Sequence, residues 1–216
     1  MSSIFNAVKN ELIIDGPIGV DWTGEGISAA MVRDAIASST GRITVRVNSP
    51  GGAADEGIAI YNVLKGSKFG CDTVCDSLAA SAASIIFLAG ENRTMLAGSK
   101  LMIHRALTVE IGNSVQMRKT ADVLDVYDKS LVEIYSEYMN ETPEDILGMM
   151  TEETWLSPDE AVRSGLATNY ASNKRTTKKA AAAAWFKNPP EDAPMASRRD
   201  LVKARLSLAM AKSGVK

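Results

Sequence analysis

The sequence has little histidine and cysteine and no long apolar run, and the last two of these features exclude whole classes of protein. Its 216 residues include one histidine, two cysteines and three tryptophans. The cysteines, Cys71 and Cys75, are too few for a disulfide scaffold and lack the companions of a zinc site. No stretch approaches the roughly 18 apolar residues of a membrane span, and the N-terminus lacks a signal-peptide pattern. We therefore expect a protein of a reducing cytoplasm without a metal or other cofactor.

The charge balance is close to neutral. The chain has 24 Lys and Arg against 26 Asp and Glu, a formal net charge of -2. This balance does not indicate nucleic acid or an anionic membrane as a partner. Hydrophobic residues make up 45% of the chain, which is ordinary for a globular protein of one domain with an appendage.

Strand and helix patterns alternate between residues 42 and 168. Strands are predicted at 42–47, where β-branched residues alternate with polar ones, and at 72–76 and 100–104. The predicted helices cover residues 26–38, 53–65, 81–90, 113–139, 143–150 and 158–164. This alternation predicts an α/β fold with βαβ units.

The composition changes after about residue 172. A basic stretch at 173–179 is followed by an alanine run at 180–184 and a proline-rich break at 189–194. Residues 197–212 then have a helical pattern. The sequence therefore predicts a folded domain over 1–172, followed by a linker and a helical tail over 173–216.

Two residues in the α/β region are candidates for nucleophilic chemistry. Ser81 lies where a strand, a turn of small residues and an apolar helix meet. A serine hydroxyl is a poor nucleophile unless a base removes its proton, and His104 is the one histidine available. Each residue alone also fits a structural role, Ser81 in small-residue packing and His104 at a strand end.

A pair of glycines follows the strand at 42–47. Gly51 and Gly52 let the backbone approach a substrate closely, and their N–H groups can bind an oxyanion or an extended peptide. The alternative is an ordinary turn from strand to helix. A phosphate loop is excluded because its lysine is absent.

Four motifs occur in an order and spacing known from one family. They are NSPGG at 48–52, LAASAA at 78–83, LMIH at 101–104 and WLSPDEAVRSGL at 155–166. Over roughly residues 10–170 the sequence thereby resembles the proteolytic subunits of Clp proteases. The resemblance implies a fold of the Clp protease and crotonase type, a spiral of ββα units with a projecting handle helix at 113–139.

The same resemblance implies a serine endopeptidase and assigns its residues. Ser81 matches the nucleophile and His104 the general base. The backbone N–H groups of Gly52 and Ala82 match the oxyanion hole, and Gly51 and Gly52 match the segment that holds substrate peptides in extended form.

The third triad member departs from the family pattern. The family usually has an aspartate before an aromatic-Leu-Ser sequence, and alignment on Trp155 places Glu153 at that position. A glutamate can orient an imidazole as an aspartate does. The adjacent Glu152 is the alternative, whereas Asp159 and Glu160 are explained by capping of the helix that begins at Pro158.

Other polar residues near the motifs have competing interpretations. Ser84, one helical turn after Ser81, and Ser77 are the alternative nucleophiles. Arg105 directly follows the histidine and is predicted either to bind substrate carbonyl groups or to be solvated.

The resemblance also implies partners. A polypeptide substrate, a possible Clp ATPase and stacked rings of seven subunits follow from it. A single subunit would expose the apolar side of the handle helix, with Leu124, Val126, Leu131 and Ile134 among its residues.

The two ends of the chain resemble a particular branch of the family, the Clp-like head-maturation proteases of tailed phages. A short N-terminal segment and the extension after residue 172 favour maturation of capsid or scaffold proteins, in host cytoplasm or procapsid. Housekeeping protein degradation with a Clp ATPase is the alternative. A crotonase-like acyl-CoA enzyme, which needs no Ser-His pair, and an inactive scaffold are further alternatives.

Overall fold

A computed structural model describes residues 5–6, 10–19 and 25–171 of the protein, with only the backbone described at residues 5 and 6. The predicted linker and tail at 173–216 lie outside the described residues. None of the helices in the described ranges has the length and apolar character needed to span a bilayer.

Strands and helices alternate along the described chain, as predicted. The strands are β1 Phe5–Asn6, β2 Glu11–Asp15, β3 Ile43–Ser49, β4 Cys71–Ala80, β5 Arg93–Leu96, β6 Lys100–Ile103, β7 Thr154–Leu156 and β8 Asn169–Ala171. The helices are α1 Ala29–Ile36, α2 Ala54–Lys65, α3 Ala82–Leu88, α4 Ser114–Ser136, α5 Pro143–Thr151 and α6 Pro158–Arg163.

One sheet contains all of these strands, in the order β1-β2-β3-β4-β5-β8. The pairs from β2 to β8 along this path are parallel. The long strand β4 divides its partners, because Thr73–Cys75 pair with β5 and Leu78–Ala80 pair with β6. Strand β7 then adds to β6 in the antiparallel direction. The carboxyl ends of β4 and β6 are therefore neighbours.

The core lies between the sheet and its helices. Strand β3 buries Ile43, Val45 and Val47, as its alternating pattern predicted, and every residue of α3 is buried. Helix α2 packs directly on the start of α3 at Gly57, where an added Cβ would lie 2.8 Å from the Cβ of Ala82. This close approach fixes the turn that precedes α3.

Helices α4 and α6 both begin with a capping side chain, as was predicted for α6. Asn113 caps α4 and Ser157 caps α6, each in a capping box with the residue three positions later. Five short strands, β1, β2, β5, β7 and β8, were not predicted. They have two to five residues each, too few for an alternating pattern to be recognised.

The expected exposure of the handle helix α4 was only partly correct. Val126 is exposed, but Leu131 is buried and Leu124 and Ile134 are half-buried. The physical reason is that the second half of α4 packs on the subunit's own core, and Leu131 and Tyr135 belong to the core cluster.

Candidate active site

Ser81 occupies a sharp turn between β4 and α3. Its φ of 55° and ψ of −128° lie in a region that residues with a side chain rarely adopt. Such conformations cost about 1–3 kcal/mol and persist where the surrounding structure enforces them. Ser81 is the residue before the first turn of α3, yet its side chain makes no capping hydrogen bond to the helix. The hydroxyl is directed elsewhere.

The hydroxyl of Ser81 contacts the only histidine of the sequence. His104 follows the last residue of β6, and its Nε2 atom lies 2.7 Å from Ser81 Oγ. Both residues are half-buried. The pairing of β4 with β6 causes this contact, since Ala80 is opposite Met102 and Ser81 N–H donates to the Met102 carbonyl at 2.9 Å.

Glu153 immediately precedes β7, the strand that pairs with β6. In this antiparallel pair, Ile103, the residue before His104, is opposite Thr154, the residue after Glu153. Glu153 is 6% exposed and has a φ of 55°. Its Oε1 accepts a hydrogen bond from Trp155 Nε1 at 3.2 Å.

The two candidate acids differ in environment. Glu152 is exposed and ends α5 as its C-cap, whereas Glu153 is buried beside the strand that leads to His104. Of the two carboxylates, Glu153 is the one shielded from water, and electrostatic interaction with an imidazole is stronger in such surroundings. The geometry therefore favours Glu153.

One carbonyl group holds the base and acid segments together. The Met150 oxygen accepts hydrogen bonds from Arg105 N–H at 3.1 Å and from Glu153 N–H at 3.2 Å. Arg105 follows His104 directly, so α5 links the backbones next to both candidate residues. Nothing in the sequence motifs pointed to Met150.

The paired glycines lie against the Ser81 turn. A Cβ added to Gly51 would lie 2.7 Å from Ser81 Cβ and 3.0 Å from Ala82 N. One added to Gly52 would lie 2.1 Å from the Ile18 carbonyl oxygen, its partner in a parallel bridge. Ala82 begins α3, where backbone N–H groups have no intrahelical acceptor. The oxyanion roles of Gly52 and Ala82, and substrate binding at the glycines, stay predictions.

Arg105 is engaged by the handle helix. Its guanidinium donates to Asp128 Oδ2 at 2.5 Å and to Asp125 Oδ1 at 2.6 Å. Asp128 is 3% exposed and also accepts from Ala106 N–H at 2.7 Å. These ion pairs raise the pKa of the guanidinium. A role in binding substrate stays a prediction, and the observed contacts join the segment after His104 to α4.

The alternative nucleophiles are placed differently from Ser81. Ser84 is fully buried, and its hydroxyl donates to the Ser81 carbonyl at 2.6 Å. Ser77 is half-buried within β4, four residues before the turn. In the described ranges, no group of three or more His, Cys, Asp or Glu side chains is arranged to hold a metal ion. The expected absence of a cofactor stays a prediction.

Serine hydrolases have a serine that is hydrogen-bonded to an imidazole and lies on a strained turn between a strand and a helix, as Ser81 does here. The sequence profile of the Clp protease family matches residues 2–174. The chain therefore belongs to the Clp protease family, as the four motifs predicted.

Similarity to curated proteins and to a solved structure is consistent with membership of this family. An ATP-dependent Clp protease proteolytic subunit of Deinococcus radiodurans is 33% identical over 127 residues, which are 57% of this chain and 62% of that protein. The chain thus spans less than two thirds of that relative. The proteolytic subunit 2 of Treponema denticola is 27% identical over 167 residues, 76% of this chain and 83% of the relative.

A ClpP1 mutant from Listeria monocytogenes has the same fold. The two structures superpose with a TM-score of 0.67 at 24% sequence identity, over 78% of this chain and 94% of that one. The predicted Clp protease type of α/β fold is confirmed.

Proposed function

We propose that this chain is a serine endopeptidase whose nucleophile is Ser81. The observation that carries the proposal is the 2.7 Å contact between Ser81 Oγ and His104 Nε2, two atoms from residues 23 positions apart. The same contact favours a hydrolase over a crotonase-like acyl-CoA enzyme and over an inactive scaffold. An acyl-CoA enzyme of that fold needs no such pair.

The reaction follows acyl-transfer chemistry. Ser81 Oγ forms a bond to the carbonyl carbon of the scissile peptide, while His104 Nε2 takes the hydroxyl proton. The tetrahedral intermediate then breaks its C–N bond, and His104 gives the proton to the leaving amine. Water next attacks the acyl ester with His104 as base, which releases the carboxylate product and restores Ser81.

Glu153 and the backbone have supporting roles in the proposal. The Glu153 carboxylate holds the imidazole in the productive tautomer and stabilises its cation. The N–H groups of Gly52 and Ala82 donate to the developing oxyanion, which two preorganised donors stabilise more than the ground-state carbonyl. Gly51 and Gly52 hold the substrate in extended form.

Hydrolysis of a fluorogenic peptide by matched variants tests the nucleophile and base. We expect Ser81→Ala and His104→Ala to lower kcat by about a million-fold, the loss typical of such a unit. The control is Ser77→Ala, which removes a nearby hydroxyl and is expected to keep activity. Undiminished hydrolysis by Ser81→Ala refutes the proposal.

The acid is tested by two adjacent variants. We expect Glu153→Gln to lower kcat by about ten-thousand-fold, as loss of the orienting carboxylate does in other triads. Glu152→Gln is expected to retain activity because its side chain is exposed at the end of α5. The reverse ranking would assign the acid to Glu152.

For the biological role, we favour protein degradation with an ATPase partner over capsid maturation. The relatives named above are both described as ATP-dependent Clp protease proteolytic subunits. This reverses the preference drawn from the chain ends, which rests on segments outside the described residues. ATP-dependent degradation of casein with an added Clp ATPase supports the favoured role. Trimming of a co-expressed capsid protein without the ATPase supports the other.

We also propose that the active form is a ring-shaped oligomer, with seven subunits per ring as the family resemblance implies. The support is the group of exposed apolar side chains on and before the first half of α4. They are Leu107, Ile111, Val115, Met117, Val123 and Val126. Native mass spectrometry gives the subunit number, and a stable monomer at assay concentration contradicts the proposal. The cytoplasmic location stays a prediction.

A further inference from the structure

The strained backbone of Ser81 is held at both of its polar groups. Its N–H donates to the Met102 carbonyl at 2.9 Å. Its carbonyl accepts two hydrogen bonds from Ser84, one from the backbone N–H at 2.9 Å and one from the hydroxyl at 2.6 Å. The second of these comes from a side chain, so it depends on the identity of residue 84.

The hydroxyl of Ser84 is itself held by a tyrosine of the handle helix. Tyr135 OH lies 2.6 Å from Ser84 Oγ. The one proton of the Ser84 hydroxyl is given to the Ser81 carbonyl, so the phenol must be the donor to Ser84 Oγ. Burial raises the pKa of Tyr135, which keeps the phenol protonated and able to donate. The result is a series of two hydrogen bonds, in which Tyr135 donates to Ser84 and Ser84 donates to the Ser81 carbonyl.

The two hydroxyl groups of this hydrogen-bond series are completely buried. Ser84 is 0% and Tyr135 1% exposed, and the other residues of α3 are alanine or large apolar side chains. Two hydroxyl groups in such surroundings are satisfied by each other and by the Ser81 carbonyl. A phenylalanine and an alanine would fill the same space without polar groups, so packing alone does not account for this pair.

We infer that Ser84 and Tyr135 are positioning residues for the nucleophile. They hold the Ser81 carbonyl so that the strained turn keeps Ser81 Oγ at hydrogen-bonding distance from His104. This inference rests on the proposed function of Ser81. It assigns Ser84 a supporting role in place of the alternative nucleophile, and it connects α4 to the candidate active site.

Matched variants separate positioning from packing. Tyr135→Phe and Ser84→Ala each remove one of the two hydroxyl groups that form these hydrogen bonds. The control, Tyr138→Phe, removes a hydroxyl just beyond the end of α4 that pairs with Tyr61 OH at 2.9 Å and takes no part in the hydrogen bonds from Tyr135 to Ser81. Thermal melting of each variant identifies any that fail to fold.

We expect Tyr135→Phe and Ser84→Ala to lower kcat about tenfold with KM unchanged, because small displacements of a nucleophile are costly in rate. The double variant should lose no more than the larger single effect, since Tyr135 acts through Ser84. Tyr138→Phe should match the wild type. Equal kcat in Tyr135→Phe and Tyr138→Phe, or additive losses in the double variant, overturns the inference.

A spectroscopic readout distinguishes failure of this inference from failure of the proposed function. Because the sequence has one histidine, ¹⁵N-histidine labelling gives one imidazole, that of His104. We expect its Nε2 chemical shift in Tyr135→Phe to move toward that of Ser81→Ala, and to stay unchanged in Tyr138→Phe. If the variants show this pattern of shifts but the wild-type protein has no peptidase activity, the proposed function is rejected and the positioning role is retained. An unmoved shift in an active protein would reject only the positioning.

Discussion

The two halves of helix α4 differ in their surroundings although both have apolar residues at helical spacing. In the first half, taken as residues 114–126, Val115, Met117, Val123 and Val126 are exposed. In the second half, Asp128, Leu131 and Tyr135 are buried against the subunit's own core. One helix therefore combines a surface available to a partner with a segment that supports the candidate site.

The comparison teaches that burial within α4 is linked to contacts with the site. Asp128 is joined to Arg105 and Ala106, which follow His104, and Tyr135 is joined through Ser84 to Ser81. In the first half, Asp125 also binds the Arg105 guanidinium, at 2.6 Å, but its side chain is exposed, so the two halves differ in how deeply their contacts with this segment are buried. Substitutions in the two halves should therefore have different consequences.

Truncation of a buried residue is expected to have the largest effect on stability. Leu131→Ala should lower the free energy of unfolding by about 2–5 kcal/mol, because it removes core contacts and leaves a cavity. The matched change Val126→Ala, at a residue that is 62% exposed, should cost about 0.5 kcal/mol or less. Denaturant titration of the two variants checks this, and similar losses would remove the distinction between the halves.

Neutralising a buried carboxylate should have an intermediate effect. Asp128→Asn removes the charged partner of Arg105 in a buried position and should cost about 1–3 kcal/mol. We also expect a lower kcat, since the affected backbone adjoins His104. Asp125→Asn alters the exposed partner of the same guanidinium and should cost about 0.5 kcal/mol or less. The prediction is wrong if the two variants have equal stability and kcat.

Changes on the exposed half should have the smallest effect on the subunit itself. The pair Val123→Ser and Val126→Ser should change the free energy of unfolding of the isolated subunit by about 0.5 kcal/mol or less. If this surface is used in assembly, the same pair should shift the native mass toward smaller species. An unchanged native mass would show that Val123 and Val126 are not needed for assembly.

Recognisable motifs in the sequence pointed to several residues of the candidate site. Ser81, His104 and the paired glycines each lie in a motif, and the α/β alternation placed them at strand ends. Glu153 could be aligned because Trp155, Leu156 and Ser157 mark its position. The contact between Ser81 and His104 then follows from the pairing of β4 with β6.

Other parts of the site depend on packing that no local pattern records. The period of α4 indicates an apolar face but cannot say whether a residue such as Leu131 faces its own core or a partner. Tyr135 lies 51 positions from Ser84, and their contact requires the relative placement of two helices. The only local signal was the position of Ser84 one helical turn after Ser81. The Met150 carbonyl is a backbone group and has no sequence signal.

Reaction with a fluorophosphonate, followed by peptide mapping, tests the central claim most directly, because the probe needs an activated serine. The account predicts one adduct per subunit, on Ser81, absent in Ser81→Ala and strongly slowed in His104→Ala, while Ser77→Ala labels as the wild type does. An adduct on another serine, or labelling of Ser81 at the same rate without His104, would contradict it.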